Sequence, residues 1–253
     1  PPHPYDTLFT SRRGDYPFIS GVPDRPISPD DLQYIVDRYD AGIRFVDDNI
    51  RSFFSDLSKN NKLKNTMVII LADHGEEFLD HGALGHRAVL YEELIHIPLI
   101  ILPPGNGFSQ KRIKGIVQTI DIYPTVLDLL GICFNHENTC GESLVPFMKT
   151  GESSEKEAYS EYYNEVLSIR DMRYKYISSH NGTEEQLYDI ENDPREIRNI
   201  ASYNREIVEG YREEMGKWLD YIQEMDSRLN MKPGSVPIDN KTMEKLKSHG
   251  YLK

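Results

Sequence analysis

The stretch that most limits what this chain can fold into is Thr66-Met67-Val68-Ile69-Ile70-Leu71-Ala72, an unbroken apolar run that stops at Asp73-His74-Gly75. A strand with one wet face alternates polar and apolar residues, whereas a continuous run of this length suits a strand buried on both faces, as in a parallel sheet. A second such run, Ile97-Pro98-Leu99-Ile100-Ile101-Leu102, follows a short helical stretch near Val89 to Leu94. Ahead of the first run, Leu32, Val36, Tyr39, Ile43, Val46, Ile50, Phe53 and Leu57 alternate spacings of four and three. That spacing places one apolar stripe on a long helix. Its start is marked by Ser28-Pro29-Asp30-Asp31, with a capping hydroxyl, a proline and acids in the first turn. A coiled coil fits the stripe as well, but a strand follows directly, so a surface helix docked on a sheet is preferred. Thr119 to Thr125 then leads into a helix over Val126 to Leu130, closed by Gly131. Helix, strand, helix, strand, helix is an α/β layout.

Beyond about residue 150 the pattern changes. Glu157 to Tyr163, Val166 to Arg170, Arg173 to Ser179 and Gln186 to Ile190 read as short strands rich in Tyr and Ile. Asn192-Asp193-Pro194 reads as a turn, and 205–228 as an amphipathic helix carrying Ile207, Tyr211, Met215, Trp218 and Ile222. The expected division is therefore 1–150 for the α/β part and 151–253 for a smaller antiparallel sheet with a helix. Residues 1–27, rich in Pro, Gly, Arg and Asp, have no period and read as an irregular loop.

Composition excludes some partners. With 41 acidic against 29 basic residues the net charge is -12, which argues against nucleic acid or an anionic membrane surface as partner. An anionic substrate would need a local positive centre, from a metal or a few cations. No apolar run approaches the ~18 residues of a membrane span. The chain opens on Pro1-Pro2-His3-Pro4-Tyr5 without an initiator Met, so it reads as part of something longer. A compartment is not legible, a cytoplasmic one being the default expectation, and a homo-oligomer is compatible with everything above. Cys133 and Cys140 could close a short disulfide loop or remain two thiols; Asn181-Gly-Thr and Asn240-Lys-Thr match the glycosylation acceptor pattern.

The chemistry concentrates where the first apolar run ends. In open α/β sheets, ligand sites form outside the carboxyl ends of strands. There Asp73 and His74 offer an oxygen and a nitrogen to a divalent ion, and Gly75 allows the backbone to turn and approach a ligand. Asp80, His81 and His86 follow in a glycine-rich loop, so three of the eight histidines fall between positions 74 and 86. An isolated Asp-His-Gly would read more simply as a capping Asp and a surface His. The strand before it and the His-Gly and Gly-His pairs after it shift the weight to a metal or proton-transfer site.

These residues resemble the sulfatase family of the alkaline-phosphatase superfamily. The resemblance is carried by Val68-Ile-Ile-Leu-Ala-Asp-His-Gly-Glu-Glu77, His81-Gly-Ala-Leu-Gly-His86, Leu90-Tyr-Glu-Glu93 and His96-Ile-Pro-Leu-Ile-Ile101. It extends to Tyr39 through Asp47, to Asp121-Ile-Tyr-Pro-Thr through Gly131, and to Arg173-Tyr-Lys-Tyr-Ile177, Leu187 through Pro194 and Asn199-Ile200. It implies part of an α/β/α sandwich, the C-terminal half of that core over 1–150, followed by a small antiparallel sheet plus helix over 151–253.

It also implies Asp73 and His74 as metal ligands, with Ca2+ the family's ion, while the imidazole admits Mg2+, Mn2+ or Zn2+ more readily. His86 matches a Lys or His that reaches the transferred sulfate or the leaving oxygen, and His3 a His that contacts the sulfate ester. Arg87 is a candidate substrate-side cation, His81 a supporting or loop residue, and His96, between two apolar runs, a packed core histidine.

The departures matter too. The family's Cys/Ser-x-Pro-x-Arg segment, source of its formylglycine nucleophile, does not occur; Ser20-Gly-Val-Pro-Asp-Arg25 has the wrong spacing, and the early Asp-Asp metal pair is missing. Both are expected upstream. The implied function is metal-dependent hydrolysis of a sulfate monoester, on a small molecule or carbohydrate, completed by an N-terminal half. The alternatives are a phosphoester or phosphonate-ester hydrolase or phosphotransferase of the same superfamily, and a noncatalytic remnant that binds an anion or a partner.

Overall fold

The computed structural model describes residues 1–10, 21–105, 107–152, 155–163, 165–229, 239 and 242–243. Asn240 and the whole of 11–20 lie outside them. The chain divides into two compact units, Pro1–Met215 and Gly216–Lys253.

The long helix is present as α1, Pro29–Lys59. Ser28 caps it by accepting a hydrogen bond from the Asp31 amide, and the first-turn acids Asp30 and Asp31 suit the positive end of the helix dipole. Of its apolar stripe, Tyr39, Ile43, Val46 and Phe53 are exposed. The two apolar runs form β1, Val68–Leu71, and β4, Leu99–Leu102. Here the expectation of a parallel, doubly buried sheet fails. β1 and β4 pair with each other antiparallel, Val68 opposite Leu102 and Leu71 opposite Leu99. Leu71, Ile100 and Leu102 are exposed. An unbroken apolar run reports that both faces are apolar, not which way a neighbour runs nor whether both faces are covered.

Between them lie a two-stranded hairpin, β2 Glu77–Phe78 and β3 Leu84–Gly85, and the short helix α2, Glu92–Ile95. α3, Ile122–Leu129, begins earlier than its sequence signal, because Gln118 and Asp121 form a capping box that starts a helical turn at Thr119. α4 covers Val145–Thr150.

The four Tyr-rich runs form one antiparallel meander, β5 Ala158–Tyr162, β6 Val166–Arg170, β7 Tyr174–Ser179 and β8 Glu185–Asp189. Alternation along β7 sets what each face meets. Tyr176 points to α5 (Arg205–Leu229) and stacks on Tyr211 at 6.1 Å, 8° between rings. Lys175 and Ile177 point the other way. Ile177 joins Tyr188 and Ile190 in a buried cluster against which Tyr91 packs. The second unit continues α5 to Leu229, with Met225 buried. No helix among the described residues is long and apolar enough to cross a membrane. Cys133 and Cys140 are both free and exposed.

Candidate active-site loop

β1 delivers Asp73 and His74 at its carboxyl end, as the sequence pattern requires. Asp73 Oδ1 accepts from the His74 amide at 3.0 Å, and the Asp73 side chain is 72% exposed. His74 Nδ1 lies 2.7 Å from the Gly75 carbonyl oxygen. An imidazole that donates from Nδ1 to a carbonyl presents the lone pair of Nε2, the arrangement in which histidines ligate metals. Nε2 is 3.9 Å from Asp73 Oδ2. Two atoms bound to one ion lie no farther apart than the sum of two metal–ligand bonds, ~4.2 Å, so Asp73 and His74 fit a shared divalent ion.

The β2–β3 hairpin adds two more groups. Glu77 pairs with Gly85 and Phe78 with Leu84, so Glu76 and His86 are the next residues across the register. Their side chains meet, His86 Nδ1 to Glu76 Oε2 at 3.4 Å. The His86 ring also lies 4.2 Å from that of His74, tilted by 38°. Ligand atoms of His74, Glu76 and His86 all fall within 4.8 Å of one another. Glu76 was not singled out in the sequence; the signal that could have found it is its equal offset with His86 from the hairpin turn.

Glu77, by contrast, is a structural pivot. Fully buried, it accepts from the amides of His81 (2.9 Å) and Ala83 (2.8 Å) and from Arg87 Nε (3.0 Å). This corrects the reading of Arg87 as a substrate-side cation: its guanidinium is committed to Glu77 and to the His81 carbonyl, 3.2 Å away. Glu77, His81 and Glu93 also place ligand atoms within 4.8 Å of one another. Those atoms already serve internal hydrogen bonds, so we assign no ion there.

Three other expectations resolve here. Gly75 does permit a close approach, but to backbone: a Cβ there would sit 1.9 Å from the Glu93 carbonyl oxygen, and its amide donates to Leu94 at 2.7 Å. His96 is not a core residue. Its side chain is 77% exposed, 3.6 Å from Glu92 across one helical turn, because the run that follows it has an open face. His3 is 78% exposed and pairs with Asp6 at 3.3 Å, in a turn fastened to α1 by Tyr5 to Asp48 (3.1 Å) and Arg38 to the Asp6 carbonyl (3.1 Å).

α2, which packs on Gly75, is held by a buried charge cluster. Lys175 Nζ lies 3.1 Å from Glu92 Oε1 and 2.9 Å from Glu196 Oε1, and Arg170 Nε 3.2 Å from Glu92 Oε1. Glu196 Oε2 accepts from the Glu92 amide at 2.6 Å. Lys175 and Glu196 are fully buried. Burial raises the Glu196 pKa, and the Lys175 ammonium works against that rise.

Residues 1–132 match the sulfatase family model and residues 79–224 the model for the C-terminal part of N-sulphoglucosamine sulphohydrolase. The chain belongs to the sulfatase family. It is 32% identical over 149 residues to the Delta 4,5-hexuronate-2-O-sulfatase of Bacteroides thetaiotaomicron, covering 54% of this chain and 31% of that one. It is 30% identical over 181 residues to arylsulfatase K of Rattus norvegicus, covering 65% of this chain and 31% of the relative. Among solved structures, BT4656 in complex with its substrate D-glucosamine-2-N,6-O-disulfate superposes with a TM-score of 0.60 at 27% identity, over 78% of this chain and 42% of that one. The chain thus spans about a third of the length of the two curated relatives.

Proposed function

We propose that this chain is the C-terminal portion of a sulfatase that hydrolyses a sulfate monoester on a saccharide, contributing Asp73 and His74 to a divalent-metal site and His86 to the substrate side. The observation that carries this reading is the His74 geometry: Nδ1 turned to the Gly75 carbonyl, Nε2 facing Asp73 Oδ2 at 3.9 Å, and the His86 ring 4.2 Å beyond. The match of residues 79–224 to a C-terminal sulphohydrolase model supports the assignment to a C-terminal portion. A sulfated sugar is favoured as substrate by the two sugar-sulfate proteins among its relatives.

A divalent ion bound there would neutralise negative charge building on the ester oxygens. Ca2+ is the ion the resemblance implies, and the imidazole donor extends the range to Mg2+, Mn2+ and Zn2+. Asp73 and His74 would hold the ion. His86, 41% exposed and steadied by Glu76, is placed to meet a bound sulfate and, when protonated, to donate to the leaving oxygen. The nucleophile, a formylglycine by resemblance, is expected from the upstream portion, and His3, which pairs with Asp6, is a sulfate contact by resemblance only.

The test is turnover by the chain joined to its upstream half, on sulfated glucosamine, an aryl sulfate and an aryl phosphate. Sulfate esters are expected to be cleaved and the phosphate to lag far behind. His86→Ala should lower turnover about 100-fold or more while leaving metal affinity nearly unchanged. Preference for the phosphate, or a wild-type rate in His86→Ala, would contradict the reading.

A further inference from the structure

His81 sits at the tip of the β2–β3 hairpin, five residues ahead of His86, and its ring is caught between separate parts of the fold. Nδ1 lies 2.6 Å from Glu93 Oε1 on α2. Nε2 lies 3.0 Å from the backbone carbonyl oxygen of Glu196, in the turn that follows β8. The ring face stacks on Tyr91 at 3.6 Å with 6° between planes. A carboxylate and a carbonyl are both acceptors. A neutral imidazole has one donor and one acceptor nitrogen, so it would set a lone pair against a lone pair at one of these contacts. An imidazolium satisfies both.

Charge leads to the same state. Around α2, Glu92 pairs with Lys175 and Arg170 and lies 3.6 Å from the exposed His96, Glu196 pairs with Lys175, and Glu93 pairs with His81. A protonated His81 supplies the positive charge opposite Glu93, which it meets at 2.6 Å. The remaining charged neighbours are already matched: Glu77, which accepts from the His81 amide, pairs with Arg87, and Asp80 pairs with Arg195 at 3.2 Å.

We propose that His81 is a positioning residue whose doubly protonated ring latches the hairpin carrying His86 to α2 and to the Glu196 turn. The face formed by His74, Glu76 and His86 then keeps its shape while the latch is closed and loosens when His81 loses a proton. Burial pulls the His81 pKa down, but the Glu196 carbonyl and the Glu93 carboxylate outweigh it, so the net shift is upward from 6.5. A raised folded-state value means the latch contributes fully below about 6.5 and is lost as pH rises through the raised value. The inference rests on the proposed function only for what His86 does. The latch itself is read without turnover, so the two ideas fail separately.

The test uses the whole 253-residue chain with nitrogen-15-labelled histidine. At pH 6.5 both His81 ring nitrogens should carry protons by their chemical shifts. Hydrogen exchange at the Leu79, His81 and Ala83 amides, which the hairpin bonds protect, should quicken severalfold beyond its intrinsic pH dependence as His81 titrates. His81→Gln should exchange quickly at every pH. Glu93→Gln keeps an acceptor and removes the charge, so it should lower the pH at which protection is lost. A singly protonated His81 at pH 6.5, protection that ignores its titration, or an unmoved midpoint in Glu93→Gln would overturn the proposal.

Discussion

At the scale of single residues, chemistry and architecture are interleaved over a few positions of one loop. Glu76 and Glu77 are adjacent in sequence, yet strand alternation sends one to the His74–His86 face and the other into full burial beneath the hairpin. Lys175 is the clearest case of a residue that sets the site from a distance. It is buried between Glu92 and Glu196, and through them it fixes α2, whose backbone abuts Gly75. Removing it leaves Glu196 buried without its cation while Glu92 keeps Arg170, so Lys175→Ala should cost ~3–5 kcal/mol in chemical denaturation. A loss below ~1 kcal/mol would show that water reaches the cluster. That Asp73, His74 and His86 come together was legible in the sequence because strand end, Asp-His-Gly and Gly-His coincide within one loop. Lys175 and Glu196 were not, because their pairing joins positions that no local pattern relates. His96 misled for the same reason: apolar neighbours in sequence say nothing of an open face.

At the scale of elements, local signals fared best where one stretch of chain carries its own instructions. α1 begins at the proline after its Ser28 cap, and the four strands of the meander fall within a residue or so of their aromatic runs. Ser28→Ala should cost α1 ~1 kcal/mol, seen as a lower midpoint of thermal unfolding. An unchanged midpoint would mean the first turn is held by its acids alone. Pairing direction was not legible. β1 and β4 carry apolar runs that look parallel and doubly buried, but they meet antiparallel, with Ile100 and Leu102 facing outward. Gly75 belongs to this scale as well. Gly75→Ala would drive a methyl group into the Glu93 carbonyl, so the variant should displace α2 and loosen the contact of Glu93 with His81. Faster amide exchange at Leu94, whose carbonyl receives the Gly75 amide, is the expected readout.

At the scale of the molecule, apolar side chains remain uncovered on two elements of the α/β part. Tyr39, Ile43, Val46 and Phe53 on α1, and Leu71, Ile100 and Leu102 on the strand pair, are each at least 40% exposed. Exposed apolar side chains in this number mark faces that another part of a protein covers. Relatives about three times as long supply a natural candidate for the cover. The chain alone should therefore bind an apolar fluorescent dye strongly and lose most of that binding when joined to the proposed upstream portion. The most direct measurement of the central claim is divalent-metal content together with sulfate-ester turnover in that joined protein, wild type against Asp73→Ala. The account predicts a bound ion and turnover in the wild type, and loss of both in Asp73→Ala with circular dichroism unchanged. A variant that keeps its ion and its wild-type rate would contradict it.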